Sequence, residues 1–540
     1  AISGVSSPRR RPGTAMMAAL VVLGLVVGAA AMFLLRPEPA PSEIPTFDRL
    51  SARRGVVTNA RFSGGDGAMI YSASWEGRPL QLFPATPDSR TSDPLNIPNA
   101  DLLSVASTGE LALSLDRRYP VGWEAIGTLA IAQPGGSAPR PILENVLVAD
   151  WAPDGRTLAV AHEVDGVVQL EYPIGTVLYK SPGWISGLRV NPDGEQILFN
   201  DCPERGDNFG RVKIIDPTGQ ITEISNSSGS WGAVWNPDGI GIRFSRGHDV
   251  FQVYPGEERQ LIYSSPEIFH LMDISPTGQM LLASATIRRE MIVRAPGAAE
   301  ESNLSWLDWS TPSDLSGDGG LILFEEGNQG GPGGYAIYLR KTDGSPPVLL
   351  DFGSELCLSP DESRIAMIKR PFRDDAELML MPTGPGEPVT VETGDLTVMR
   401  APCTWLPGSK KGDLGRLVFL GRQVDQSPQL YFVELGTGSA PQAITPDGLP
   451  LAPRGHIASA DGRQVIVTPA EGTAVVFDIN GNGPTPLKGI EPGDLPLSFD
   501  QDGRHFFVLG SGTIPAPIIR MDRETGERML WNELSPRDRS

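Results

Sequence analysis

Cysteine and histidine are scarce, with three and five of them in 540 residues. Cys202, Cys357 and Cys403 stand in no CxxC or other metal spacing, and an odd, sparse set is not a disulfide framework. One bridge among them is left open, but buried core thiols are the expectation. No two histidines lie close enough in sequence for a local metal motif. HExxH and the GxSxG elbow are both missing, and no segment is left over to house a hydrolase domain. A Gly-rich loop ahead of a lysine strand and an HRD loop are missing too, so Asp351-Phe352-Gly353 reads as a chance tripeptide in a turn. Asp478-Ile479-Asn480-Gly481-Asn482-Gly483 opens like a calcium loop, but Gly489 stands where the bidentate Glu belongs, so it reads as a β-turn. Basic surface is lacking: 45 Lys and Arg against 65 Asp and Glu give a net charge of −20, which excludes nucleic acid as a partner. No enzymatic activity, cofactor or metal is expected. The charges of Arg205-Gly206 and of Arg246 to Asp249 read as solvated loop charge.

Helical periodicity is confined to one place. Residues 15–35, AMMAALVVLGLVVGAAAMFLL, carry no charge and are long enough to cross a bilayer core of roughly 30 Å. Arg9, Arg10 and Arg11 precede the run and a Pro-rich acidic stretch, 36–47, follows, which orients the chain N-in and C-out. Cleavage after Ala29-Ala30-Ala31 is the rival reading, but the apolar run continues through Leu35. Gly24 and Gly28 form a GxxxG on which a second copy of the helix can pack, making a homodimer.

Glycine (62) and proline (50) are abundant, and they recur in a pattern. Trp151-Ala152-Pro153-Asp154-Gly155, Val190-Asn191-Pro192-Asp193-Gly194, Trp235-Asn236-Pro237-Asp238-Gly239 and Leu358-Ser359-Pro360-Asp361 each lead into an alternating apolar strand. Proline presets φ, Asp bonds its own backbone and Gly takes the positive φ of a tight turn. With weaker copies there are about eleven repeats, at the roughly 40–50-residue period of propeller blades. Second and fourth strand-like runs follow within most copies, so each repeat predicts four antiparallel strands. Six repeats precede Pro296 to Glu301 and about five follow, and one ring rarely exceeds eight blades. The expected fold is therefore all-β: two tandem propellers, 48–300 and 301–540, of about six and five to six blades. Residues Glu527 to Trp531 are candidates to close the second.

The Pro-Asp-Gly repeats resemble TolB-type, WD40-like propeller repeats from about residue 48 onward. The order Ala1 to Ser7, the arginine cluster, one membrane helix, then propellers resembles the C-terminal half of bacterial transmembrane serine/threonine protein kinases. Trp75 to Leu80 and Tyr338 to Ser345 resemble segments of that group. The resemblance implies a cytoplasmic kinase domain upstream of Ala1, a cell-membrane location, and a sensor module that takes a protein or peptide ligand outside the cytoplasm. A TolB-like envelope scaffold without signalling is the alternative.

Overall fold

Alternating apolar strands punctuated by Pro-Asp-Gly turns have one economical solution, the antiparallel meander, and the computed structural model consists of these throughout. It describes residues 46–536 apart from 52, 65–66, 90–92, 134–137, 182, 204, 208–209, 225–228, 328–334, 371–375, 407–413, 425, 450, 460, 470–471, 480–482, 501 and 511–513. The expected membrane segment 15–35, with Gly24 and Gly28, lies outside the described residues. Among the described residues no helix is long and apolar enough to cross a membrane. Arg53–Ser540 forms one compact unit.

Among the described residues eleven antiparallel blades, numbered 1 to 11, follow in chain order. Their first strands are Gly55–Phe62, Ala100–Val105, the end of Arg140–Trp151, Trp184–Val190, Ala233–Trp235 and Ile268–Ile274, then Ser310–Leu315, the end of Val348–Leu358, Thr404–Leu406, Leu451–Ala458 and Leu495–Phe499. Blades 4, 5, 10 and 11 are four-stranded sheets, while blade 1 has three strands and blade 6 two. Arg140–Trp151 and Val348–Leu358 are long because each serves twice, as the outer strand of one blade and the inner strand of the next. A residue at positive φ, Asn145 at 56°, bends the first of these where it passes from one sheet to the other. Asp351-Phe352-Gly353 lies inside Val348–Leu358, so it is strand rather than the turn expected of it.

The inner strands of blades 1 to 6 touch in a closed circle: 1 with 2, 2 with 3, and onward until 6 meets 1 again. Facing sheets interdigitate apolar side chains. Between blades 3 and 4, for example, Ala159, Val168 and Leu170 pack with Ile185, Ile197 and Phe199, all buried. Each large side chain so buried contributes roughly 1.5–3 kcal/mol. Blades 7 to 11 also run in neighbour contact. A small hairpin, Ile292–Val293 with Ser302–Asn303, packs Met291 and Leu304 onto Ile322 and Phe324 of blade 7. It occupies the stretch expected to be a plain boundary. Arg528–Leu534 pairs with Ala516–Asp522 as the outermost strand of blade 11.

The inner strands share a further device. A β-bulge interrupts pairing in blades 1 to 4, 6 to 8 and 11, for example between Leu271 and Asp273 and between Pro312 and Asp314. A bulge re-aims the residues after it. The residue two places before the small residue of the turn is thereby turned toward the next blade. At this position Ser104 accepts the N–H of Trp151 (3.3 Å), Asp150 that of Val190 (2.9 Å), Asp273 that of Phe62 (2.8 Å) and Asp314 that of Leu358 (2.7 Å). Each bond latches one blade to its neighbour, and Asp273 to Phe62 closes the circle of six. In blade 8 the equivalent residue is Cys357, and a disulfide to Cys403 on blade 9 replaces the hydrogen bond. The Cα atoms are 5.6 Å apart, within the ordinary range for a bridge. The expectation of buried thiols thus holds for Cys202 alone, which is buried and free.

Candidate functional site

The turn residues lie where inner strands end. In blade 3 the Gly155 N–H donates to Ala152 O (3.0 Å) and Gly155 takes φ 64°. The Asp154 carboxylate accepts from the N–H groups of Arg156 and Thr157 (2.8 and 2.9 Å) and from the Thr157 hydroxyl (2.7 Å). Those bonds, the Thr157 N–H first, hold its pKa below the usual carboxylate range. Gly194 and Gly239 take φ 82° and 71°. Asp193 accepts the Glu195 N–H, and Asp238 those of Ile240 and Gly241 together with the Tyr254 hydroxyl. Asp361 accepts the Ser363 N–H, and Glu362 takes the positive φ (61°) where the other copies have glycine. These are framework residues on separate blades, and the structure gathers them into no common site.

The channel enclosed by blades 1 to 6 is obstructed at the turn-bearing end. The latch position reads Arg61, Ser104, Asp150, Arg189, Val234, Asp273 around the circle, with arginines opposed on blades 1 and 4 and aspartates on blades 3 and 6. Arg61 and Arg189 both donate to Met272 O, at 3.1 and 2.8 Å. Arg61 also donates to Leu103 O at 2.8 Å. Burial, with the nearby Arg189, pushes Arg61 down to about 9 against the pull of Asp273 and Asp150. Burial raises Asp273 in spite of both arginines. Desolvation outweighs attraction for both, as is common for buried ion pairs.

At the opposite end a hairpin of blade 2, residues 116–123, spans the mouth. The Trp123 N–H donates to Gly206 O on blade 4 (3.0 Å), and its ring meets Trp231, just before blade 5, at 5.6 Å. Blades 2 and 5 are opposite in a ring of six, so this reach crosses the channel. Gly122 packs so closely that a Cβ would lie 2.1 Å from Gly206 O. Buried Glu124 pairs with Arg205, which reaches Glu163 as well (2.5 Å). Burial raises the Glu124 carboxyl against the pull of Arg205. Arg205 is therefore half-buried and paired, not solvated loop charge as expected. Trp231 meets His270 edge-on (4.5 Å), and burial lowers the imidazole of His270 to about 4. Trp123 also touches Trp309 (6.0 Å), at the entry to blade 7, and Arg400 pairs with Asp207.

A groove of about 500 Å³ lies between blades 2 and 3, within the range of small-molecule sites. Ile131, Ile142, Trp151, Leu158 and Ile174 supply its apolar surface, and Arg140, Arg156 and Glu110 its charges. Gly155 and Thr157 of the Pro-Asp-Gly turn form its rim. Of the sequence-expected residues only this turn borders it. The groove escaped sequence reading because its walls come from five separated stretches of two blades. Asp500, Asp502 and His505 on blade 11 lie close enough together to hold a cation. Arg520, however, bonds both carboxylates (2.7 Å each), which satisfies them internally.

No family model matches the sequence, and no curated protein matches it. Among solved structures the chain is similar to the tricorn protease, with 14% identity and a TM-score of 0.31, over 90% of this chain and 55% of that one. It is similar to TolB from Acinetobacter baumannii, with 15% identity and a TM-score of 0.23, over 62% and 80%. The β-propeller domain of the Trilobed protease from Pyrococcus furiosus is similar with 13% identity and a TM-score of 0.24, over 65% and 99%. The chain spans about half the length of the tricorn protease it matches. Such distant likenesses add nothing to the site. The propeller-like description rests on the strand order, the closed circle of six and the repeated turn.

Proposed function

We propose that this chain is a membrane-anchored binding module displayed outside the cytoplasm, the C-terminal part of a receptor-type serine/threonine protein kinase. The observation that carries the extracytoplasmic part is the Cys357–Cys403 disulfide at a blade-to-blade latch. Structural disulfides persist where thiols are not kept reduced. The arginine cluster before the apolar run 15–35 supports the same orientation. Tandem propellers divided near residue 300, a protein or peptide ligand, and helix pairing through Gly24 and Gly28 belong to this reading. The kinase association rests on the sequence resemblance alone.

Two measurements on the expressed full chain test it. Protease added outside intact spheroplasts digests everything beyond Pro37. Maleimide labelling after denaturation without reductant modifies one thiol, Cys202, and after reduction three. Full protection from protease, or three reactive thiols without reduction, overturns the reading.

A further inference from the structure

Outside the latches and the spanned mouth, the groove between blades 2 and 3 carries charged groups that no internal pairing uses. Arg140 and Arg156 lie on its wall, both exposed, and neither guanidinium has an ion pair or a side-chain hydrogen bond among the described residues. Nearly every other arginine near blade 3 is engaged: Arg61 and Arg189 on carbonyls, Arg205 on two carboxylates. The acidic member, Glu110, already accepts from Gln133 (2.6 Å) and Thr108 (3.3 Å). Arg140 and Arg156 share the groove wall with Glu110, and the Asp154 carboxylate, held by its own turn, acts on Arg156 from beside the rim. Between the charges the surface is apolar and accessible: Ile142 is 39% exposed, and Ile174, in the turn between Val167–Glu171 and Val177–Ser181, 37%. Trp151, behind them, has a buried indole N–H without an acceptor among the described residues.

We propose that this groove binds a small monoanion with an apolar body, a carboxylate read by Arg140 and Arg156 while its carbon frame lies on Ile142, Trp151 and Ile174. Guanidinium is the donor suited to a carboxylate, because its planar fork matches two oxygens. A phosphate dianion fits less well, since its second charge meets Glu110 on the same wall. The apolar body sets the size, because about 500 Å³ admits a ligand of amino-acid to dipeptide dimensions. Such a carboxylate has two natural sources, a free aliphatic or aromatic acid and the C-terminus of a peptide ending in an apolar residue. The inference deepens the binding reading by naming the ligand class, and it does not depend on the compartment.

The test is calorimetric titration of the full chain in nanodiscs with four probes: 4-phenylbutyrate, 4-phenylbutanol, N-acetyl-Leu-Leu with a free carboxylate, and its amide. The expected result is saturable binding of at least one acid, with its neutral partner weaker by tenfold or more. The double variant Arg140→Ala/Arg156→Ala loses at least tenfold in affinity with an unchanged melting curve, as both side chains are exposed. Ile142→Asp loses binding of the same acid. Preference for the dipeptide acid identifies a peptide C-terminus, and preference for phenylbutyrate a free acid. Equal binding of acid and neutral partner, affinity unmoved by the double variant, or no saturable heat up to millimolar probe each overturns the proposal. None of these touches the protease and thiol results above, so the two readings fail separately.

Discussion

Replacing Asp273 by alanine removes the bond that shuts the circle of six blades. The Phe62 N–H, which donates to Asp273 at 2.8 Å, is left without its acceptor at a buried seam. A hydrogen bond to a charged group contributes about 1.5–3 kcal/mol. Arg61, which is fully buried, also loses the attraction of one of the two carboxylates that offset its burial; breaking a contact ion pair in an interior costs about 3–5 kcal/mol, and this attraction without a direct contact is worth less. The two losses overlap, because Arg61 keeps Asp150 and three strand carbonyls, so about 3 kcal/mol is the reasoned sum. With the proposed division near residue 300, the circle of six melts as a unit of some 250 residues, which shifts by roughly 2–4 °C per kcal/mol, so calorimetry should show its transition falling by roughly 6–12 °C. Asp273→Asn keeps an acceptor for Phe62 and loses only charge, so it should fall less. Asp314→Ala breaks the equivalent latch on blade 7, with Leu358 (2.7 Å) and no arginine in the arrangement, and should cost about 1–3 kcal/mol. A melt of Asp273→Ala within 2 °C of the parent would refute the latch, whatever Asp314→Ala does.

Cys357→Ser with Cys403→Ser frees a loop of sequence separation 46, and the chain-entropy relation puts the loss near 4 kcal/mol; a denaturation midpoint equal to that of the oxidised parent counts against a structural bridge. Gly155→Val and Gly194→Val each strain a β-branched residue at positive φ, at roughly 1–3 kcal/mol. Gly155 should suffer more, because its Cβ would meet Ser107 Oγ at 2.6 Å whereas that of Gly194 meets nothing nearer than 3.6 Å; equal melting of both variants and parent refutes the turn assignment. His270 and His456 are each lowered to about 4 by burial, below the ~6.5 of an unfolded chain. The unfolded state therefore takes up protons first, and stability falls as pH drops from about 6.5 to about 4, by up to ~3 kcal/mol for each histidine. His270→Gln with His456→Gln should flatten that part of the melting profile, and an unchanged slope between those pH values speaks against it.

The strands were legible because their causes are local. A proline, an aspartate that caps its own backbone and a glycine at positive φ are encoded in consecutive residues, as in Pro153-Asp154-Gly155, and the alternation after them needs only the next four. Arg205 could not be read that way. Its partners Glu124 and Glu163 are 81 and 42 residues away, so its charge looked like loop charge until blades 2, 3 and 4 were side by side. The groove was hidden for the same reason, since Glu110, Arg140 and Ile174 meet only across two blades. The pairing of Cys357 with Cys403 had a trace in the sequence: each cysteine lies next to a turn motif, Leu358-Ser359-Pro360 and Trp405-Leu406-Pro407, one repeat apart. Counting cysteines missed it, and aligning them on the repeat would have found it.

That alignment also explains why the latch position went unseen although blades 1 to 8 share it. Around blades 1 to 8 it reads Arg, Ser, Asp, Arg, Val, Asp, Asp, Cys, which no residue pattern would group. What repeats is the geometry: a bulge aims this residue at the neighbouring inner strand, where the next N–H waits for an acceptor. Any short acceptor satisfies it, so Ser104 and Asp150 are interchangeable in kind, and a sulfur bridge does as well. Where the residue is arginine no acceptor is offered, and the side chain turns to carbonyls instead, as Arg61 and Arg189 do at Met272 O. Arginine at two opposed positions then supplies the charge that lets Asp150 and Asp273 stay buried. Substituting both arginines by serine should thus leave two aspartates facing an uncompensated interior, and the circle would be weakened more by losing its cations than by losing either latch alone.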